Sequence, residues 1–258
     1  MISGLSTPAF AALGACVFLA GIVDALAGGG GLITIPAYLA VGLNPALVLG
    51  TNKMASCVGT FTSTVKYQRS LRFSLADFLP VLAAAALGAW LGARLAVLAD
   101  PRLLRPLLLV ALPVVSWLIW SRREFGVEDA SSRHARRERI ARGMLVAAPV
   151  GMYDGFFGPG AGMFYALGFV RVCGYDLLGA TARAKALNFL SNIAALATFL
   201  AAGRVAWRVG LPMACMSVAG NYVGAHLGVR NGAKAIRPVV ILVCAALFFK
   251  LLFDMISR

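Results

Sequence analysis

Apolar runs of membrane-spanning length are the feature that most constrains this 258-residue chain, which is 60% hydrophobic and only 13% charged. A helix of roughly 18 or more apolar residues can cross the hydrocarbon layer of a bilayer. Seven such runs exceed what the core of a soluble domain can bury: Ala46–Val65, Leu75–Leu98, Leu103–Trp120, Gly143–Val172, Lys185–Ala202, Val209–Val229 and Val239–Met255. Too few charged residues remain to cover a soluble surface. The sequence therefore predicts an all-α polytopic membrane protein.

Basic residues raise the net charge to +14 and collect between the third and fourth of these runs. Basic segments beside membrane helices remain in the cytoplasm and contact anionic headgroups. Aromatic residues do not alternate with these arginines, so nucleic acid is not an expected partner. We expect a first transmembrane repeat at 1–121, a basic cytoplasmic linker at 122–142 and a second transmembrane repeat at 143–258. The linker arginines are Arg122, Arg123, Arg133, Arg136, Arg137, Arg139 and Arg142.

The second half of the chain repeats polar and glycine residues of the first half at a nearly constant offset. Asp24 and Gly28 match Asp154 and Gly158 at a spacing of 130 residues. Later matches fall at 132 residues and include Gly42/Gly174, Lys53/Lys185, Gly88/Gly220 and Arg105-Pro106/Arg237-Pro238. Glycine matches arise easily by chance in a chain with 28 glycines, but an offset shared by Lys, Asp and an Arg-Pro pair does not. This pattern is typical of a transporter built from two homologous repeats.

Each predicted repeat begins with a segment that glycine interrupts. Phe10–Leu26 precedes four glycines and the short piece Leu32–Val41, and the second repeat breaks at Gly158-Pro159-Gly160. Glycine and proline are costly inside helices, so a broken or re-entrant first element is predicted in each repeat, followed by three transmembrane helices. If this element is a hairpin, the second repeat is inverted; if it is one spanning helix, the repeats are parallel. The distribution of basic residues favours inversion.

Lys53 and Lys185 are lone cations inside strongly apolar stretches. A lysine at membrane depth is energetically costly, so it normally faces an interior cavity and marks a transport pathway. Its ammonium group offers three donors and a full charge, which suit a carboxylate or a sulfonate. The alternative is that each side chain snorkels to the membrane interface. Duplication of the position favours the first interpretation, in which two half-sites bind a small anion near the midplane.

Neutral donors and backbone N–H groups near the lysines are expected to complete this site. Glycine breaks expose N–H groups, and helix N-termini add about half a positive charge each. The expected substrate-binding residues are Thr51, Asn52, Lys53, Ser56, Arg183, Lys185, Asn188 and Asn192, with Gly29, Gly30, Gly31, Gly160 and Gly162 from the breaks. Ser191 is a further donor. Such a site would bind an anion without a metal ion or a cofactor.

Two motifs in these segments carry a family resemblance. The first half reads GGGGL-T-P from Gly28 and then G-NP---LGTNK up to Lys53, and the second reads GFFGPGAG from Gly155 and then A-AK-LNF-SN up to Asn192. With these motifs the chain resembles the TauE/SafE family of anion permeases, the sulfite exporter family, over nearly its whole length. The resemblance implies a multi-pass transporter of the bacterial inner membrane that moves organosulfur anions such as sulfite, sulfoacetate or other sulfonates. Met163-Phe164 and Arg183 depart from the expected pattern and would affect selectivity.

Asp24 and Asp154 lie just before the glycine breaks and admit two interpretations. In the first interpretation, they are coupling carboxylates that take up a proton during transport, as intramembrane acids often do. Alternatively, they anchor the helix break or act as counter-ions to the lysine of the opposite repeat. Asn44 and Asp176, which precede apolar runs, are predicted helix N-caps.

Enzyme motifs do not compete with transport, because the sequence has no GxSxG, HExxH or Walker pattern. The lack of a nucleotide-binding motif favours secondary transport over ATP-driven transport. The alternative function is an anion-selective channel in which the same lysines form a constriction. The expected partners are a small anionic substrate and the lipid bilayer, and a homodimer is left open.

Overall fold

A computed structural model describes residues 6–232 of the chain, except for 72, 75–77, 101 and 103–127. Every regular element in this part of the chain is helical. The predicted runs Leu103–Trp120 and Val239–Met255 lie outside the described residues, as do the Arg105-Pro106/Arg237-Pro238 match and residues 122–127 of the linker.

Helices of similar length follow one another in the same order in the two halves of the chain. The first half has α1 (Thr7–Ala27), α2 (Gly31–Ala40), α3 (Pro45–Leu71) and α4 (Leu79–Leu98). After a 3₁₀ turn at Ser131–Arg133, the second half has α5 (Arg136–Phe156), α6 (Ala161–Cys173), α7 (Leu177–Ala201) and α8 (Trp207–Asn231). Residues 136–142 of the predicted linker therefore belong to α5.

A break that contains glycine follows the first helix of each half, as the sequence predicts. α1 ends at Ala27, where Gly28 has a φ of 77°, a left-handed conformation that other residues rarely adopt. α5 ends at Phe156, and α6 starts immediately after Gly160, whose φ is 80°. The predicted break is thus confirmed in both halves. The two pieces are unequal, however: α1 and α5 have 21 residues each, and only the second piece is short.

The lengths of the helices separate spanning elements from partial ones. α1, α4 and α7 are long and apolar enough to cross a membrane. α3 and α8 have 27 and 25 residues but are less apolar along their length. α2 and α6 have 10 and 13 residues, which reach only about 15 and 20 Å at 1.5 Å per residue, against a hydrocarbon layer of roughly 30 Å. The predicted N-caps at Asn44 and Asp176 are confirmed by hydrogen bonds from Ala46 N at 3.0 Å and Gly179 N at 3.2 Å.

The contacts between helices fix the directions in which they run. Residue numbers rise together along α1 and α8 and along α3 and α8, as the neighbours Gly14 with Met216, Ile22 with Gly224, Met54 with Gly210 and Tyr67 with Gly228 indicate. They also rise together along α4 and α5, where Val81 lies beside Gly143 and Gly92 beside Met152. α1, α3 and α8 are therefore parallel to one another, and α4 is parallel to α5.

α3 and α7, by contrast, are antiparallel. Gly50 near the start of α3 lies against Phe199 near the end of α7, and the rings of Phe61 and Phe189 are 5.2 Å apart. α7 runs with α5, because Arg139 and Arg183 line one cavity while Ser191 contacts Asp154. Two sets of helices thus point in opposite directions: α1, α3 and α8 in one, α4, α5 and α7 in the other.

The short helices return the chain between parallel neighbours. α1 and α3 run in the same direction, so residues 28–44, which include α2, must lead back across part of the bundle. The same holds for residues 157–176, which include α6, between α5 and α7. We call the end of the bundle at which α3 and α8 end and α4, α5 and α7 begin the linker end.

Candidate functional site

The Lys53 ammonium group is buried in an ion pair that joins the two halves. Its Nζ lies 2.6 Å from Asp154 Oδ1 on α5 and donates to Asn192 Oδ1 on α7 at 2.9 Å. The side chains of Lys53 and Asp154 are 3% and 2% exposed. The second carboxylate oxygen of Asp154 accepts a hydrogen bond from Ser191 Oγ. The lysine thus lies inside the bundle with its charge compensated.

Lys185 forms the reciprocal pair. Its Nζ lies 3.3 Å from Asp24 Oδ2 on α1 and also donates to the backbone oxygen of Asp24. Asp24 Oδ1 in turn accepts from Gly30 N, in the break before α2, at 3.3 Å. The Lys185 side chain is 1% exposed, but that of Asp24 is 14% exposed. This second pair is longer and more open than the first.

The two glycine breaks lie against each other beside these pairs. A methyl group on Gly162 would lie 2.7 Å from Gly28 Cα and 3.1 Å from Asn188 Nδ2. A methyl group on Gly158 would lie 3.3 Å from both Asp154 Oδ1 and Lys53 Nζ. The two breaks therefore pack backbone against backbone, and the second break lies directly beside the Lys53–Asp154 pair.

A known protein family matches this chain over almost its full length. The family model described as "Sulfite exporter TauE/SafE" matches residues 13–251. The chain belongs to the TauE/SafE family. Among its bacterial relatives is the probable membrane transporter protein YfcA of Escherichia coli K12, 39% identical over 236 residues that cover 92% of this chain and 87% of the relative.

Two further relatives have the same kind of description. The probable membrane transporter protein ORF9 of Sinorhizobium sp is 39% identical over 92% of this chain and 90% of its own. A probable membrane transporter protein of Haemophilus influenzae is 37% identical over 93% of each chain. No solved structure matches the chain at a significant level. This TauE/SafE protein is accordingly a multi-pass membrane transporter and not an enzyme.

The structure of this TauE/SafE transporter brings most of the expected site residues together. Asn192 links the halves, because its Oδ1 accepts from Lys53 while its Nδ2 donates to Asn188 Oδ1 at 3.3 Å and to Thr60 Oγ1 at 3.4 Å. Ser56 is half-buried on α3, nearly one turn after Lys53. The expected glycines line the two breaks: Gly29, Gly30 and Gly31 in the first, Gly160 and Gly162 in the second.

Thr51, Asn52 and Arg183 make other contacts. Thr51 Oγ1 accepts from Ala206 N at 2.9 Å and so satisfies the backbone at the start of α8. Asn52 Oδ1 accepts from Thr34 Oγ1 at 2.5 Å, which joins α3 to α2. The Arg183 guanidinium turns away from Lys185 and stacks 3.9 Å from the centre of the Tyr175 ring.

Thr34 and Thr60 are polar neighbours of the site that sequence reasoning missed. Thr60 lies two helical turns after Lys53 and therefore on the same face of α3. It also matches Asn192 at the offset of 132 residues that the sequence predicts for a repeat, so this predicted offset could have identified it. Among the described residues, no group of three or more His, Cys, Asp or Glu side chains could hold a metal ion.

Proposed function

We propose that this transporter moves small organosulfur anions, such as sulfite, sulfoacetate or another sulfonate, and binds them between its two halves at Lys53 and Lys185. The observation that supports this best is the pair of crossed Lys–Asp contacts deep in the bundle. Each ammonium group is held by one carboxylate, which is the kind of partner that a substrate anion can replace. Membership of a family described as sulfite exporters supports this class of substrate.

The glycine breaks give the anion a second set of donors. α2 starts at Gly31 and α6 at Ala161, so the N-termini of both short helices adjoin the breaks. N–H groups at a helix N-terminus favour an anion without adding a fixed charge. Broken helices whose N-termini face anionic substrate groups are a recurrent feature of secondary transporters.

We further propose that the two halves are inverted repeats. Matched helices point in opposite directions: α1 against α5, α3 against α7, and α4 against α8. The contacts between halves are also reciprocal, because α1 packs on α8 as α5 packs on α4. A pseudo-twofold axis in the membrane plane would pass where matched elements touch, between Gly28 and Gly162 and between α3 and α7. The ion pairs would then lie near the midplane.

The distribution of charge supports an orientation with the linker end in the cytoplasm. Among the described residues, basic side chains at or near the linker end are Lys66, Arg69, Arg133, Arg136, Arg137, Arg139, Arg142, Arg171, Arg183 and Arg230. Those at or near the opposite end are Arg94, Arg102, Arg204 and Arg208.

Single cysteines placed at the two ends test this topology. In a variant without native cysteines, Ser6→Cys is expected to react with a membrane-impermeant maleimide added to whole cells, because α1 starts at the end opposite the linker end. Ser70→Cys, at the exposed end of α3, is expected to react only after the cells are opened. Labelling of both positions from the same side would contradict the inverted arrangement.

Asp24 and Asp154 are the proposed coupling groups for any uptake against the membrane potential. A proton on either carboxyl would release the lysine that it holds, so a proton and an anion could bind to the same pair. Export needs no such coupling, because an inside-negative potential favours loss of an anion by about 2.3 kcal/mol per charge per 100 mV. The ion pairs occupy the interior of the bundle, which favours a carrier over an open channel.

Proteoliposomes with an imposed pH gradient or an imposed potential test both proposals. Proton-driven accumulation of sulfite is expected in the wild type, which a simple channel cannot produce. Asp24→Asn with Asp154→Asn leaves both buried lysines without a counter-ion and is expected to lower stability. The protein that remains folded is expected to lose accumulation and to retain potential-driven export, which also shows that it is folded. Accumulation that survives in this double variant would remove the two carboxylates from the coupling mechanism.

A further inference from the structure

A basic cavity of about 180 Å³ lies at the linker end, apart from the paired lysines. Arg136 and Arg139 of α5 and Arg183 of α7 line it, and Phe73, Phe78 and Tyr175 provide aromatic walls. None of its described lining residues is acidic. Three guanidinium-bearing residues from two helices therefore surround one polar space.

The Arg183 side chain is held in a defined position within this cavity. Its guanidinium lies 3.9 Å from the centre of the Tyr175 ring and 5.0 Å from that of Phe73. Nη1 also donates to Gly179 O at 3.0 Å, one helical turn back. A guanidinium fixed in this way loses little conformational freedom when its remaining N–H groups bind a ligand.

Arg139 is fixed from the other side of the cavity. Its Nη1 donates to Ser131 O at 3.2 Å and to His134 O at 3.0 Å, which ties α5 to the turn before it. Both of its acceptors are neutral carbonyl groups, so its positive charge is not cancelled by them. Fixed, planar guanidinium groups match the geometry of oxyanions, which they can bind through two parallel hydrogen bonds.

We propose that this cavity is a second anion site, which binds a phosphate group either of a lipid headgroup or of free inorganic phosphate. The site is distinct from the one that we assign to transport. Residues two apart on a helix are separated by about 200° of rotation around its axis, so their side chains point to nearly opposite sides. Arg183 therefore faces the cavity while Lys185 faces Asp24.

Thermal unfolding of the full-length protein in phosphatidylcholine nanodiscs tests this proposal. At constant ionic strength, inorganic phosphate is expected to raise the Tm relative to chloride. Arg183→Gln and Arg136→Gln are expected to raise the half-saturating phosphate concentration about tenfold or more, since charged hydrogen bonds are worth about 1.5–3 kcal/mol. Arg183→Lys, which keeps the charge but not the planar fork, is expected to weaken binding less.

Arg137→Gln is the matched control, because Arg137 is exposed in the same turn of α5 and does not line the cavity. It is expected to keep the full phosphate response, and so is Lys53→Gln combined with Asp154→Asn. A response lost equally in Arg137→Gln would indicate a general charge effect and overturn the proposal. A response lost with the lysine pair would place the phosphate in the transport site and overturn it as well.

Nanodiscs that contain phosphatidylglycerol distinguish the two sources. A lipid ligand is expected to raise the Tm of the wild type and of Arg137→Gln, but not of Arg183→Gln, and to remove the effect of added phosphate. A phosphate response that persists unchanged would identify the free anion as the ligand. If neither phosphate nor phosphatidylglycerol stabilises the wild type, the cavity is not an anion site.

Discussion

Replacing Lys53 by glutamine is expected to lower the free energy of unfolding by about 3–5 kcal/mol, because it leaves the Asp154 carboxylate buried without its counter-ion. Asp154 is 2% exposed and lies 2.6 Å from the ammonium group. Lys53→Gln with Asp154→Asn is expected to recover most of this loss, since the buried charge is then removed from both partners. Equilibrium unfolding of the purified protein in a fixed detergent measures these differences.

Removing one charge from the Lys185–Asp24 pair is expected to lower the free energy of unfolding by a smaller amount. Asp24 is 14% exposed and 3.3 Å from Lys185, so solvent compensates part of its charge after Lys185→Gln. Lys66→Gln is the matched control on α3, because Lys66 is half-buried and its Nζ lies 5.7 Å from the centre of the Tyr222 ring. This substitution should lower the free energy of unfolding by about 1 kcal/mol or less. A Lys53→Gln protein as stable as the Lys66→Gln protein would show that the first pair is not the main buried charge contact.

Gly28→Ala is expected to produce the second large effect, at the contact between the breaks. Gly28 has a φ of 77°, and an added methyl group would overlap the backbone of Gly162 and Met163. The left-handed conformation alone costs about 1–2 kcal/mol for an L-residue. Overlap with fixed backbone adds about 1–3 kcal/mol and must push the two breaks apart. Both stability and transport should therefore fall.

Gly42→Ala separates these two contributions. Gly42 has a φ of 83°, but a methyl group there would meet nothing within 4 Å. It should show the cost of the backbone conformation alone and keep normal transport. Thermal unfolding and sulfite flux of the two variants provide the comparison. Equal losses in Gly28→Ala and Gly42→Ala would mean that the close approach of the breaks is unimportant.

The parts of the site that could be predicted from the sequence are those that depend on the energetic cost of a single residue in its own segment. Glycine clusters end helices because of backbone geometry, and a lysine in an apolar run must lie in the interior or reach an interface. The partner of each lysine could not be chosen in this way. Lys53 and Asp154 are 101 residues apart and Lys185 and Asp24 are 161 apart. Only the packing of the helices decides that each lysine meets the carboxylate of the opposite half.

Two expected ligands make contacts that their position in the sequence next to a lysine does not indicate. Arg183 is close to Lys185 in sequence, but the helical period directs the two side chains to different sides of α7. Thr51 is close to Lys53 in sequence, but its hydroxyl oxygen accepts from Ala206 N, 155 residues away. The direction of Arg183 follows from sequence periodicity, whereas the contact of Thr51 depends on tertiary packing.

Flux through charge-neutral pair variants is the decisive test of whether Lys53 and Lys185 bind the transported anion. Lys53→Gln with Asp154→Asn, and Lys185→Gln with Asp24→Asn, remove each ion pair without leaving a buried charge. Potential-driven flux of sulfite and of sulfoacetate from proteoliposomes is expected to fall about tenfold or more in each, as loss of a charged hydrogen bond predicts. Lys66→Gln should match the wild type. Wild-type flux of both anions in the two folded pair variants would show that neither lysine is needed to bind the transported anion.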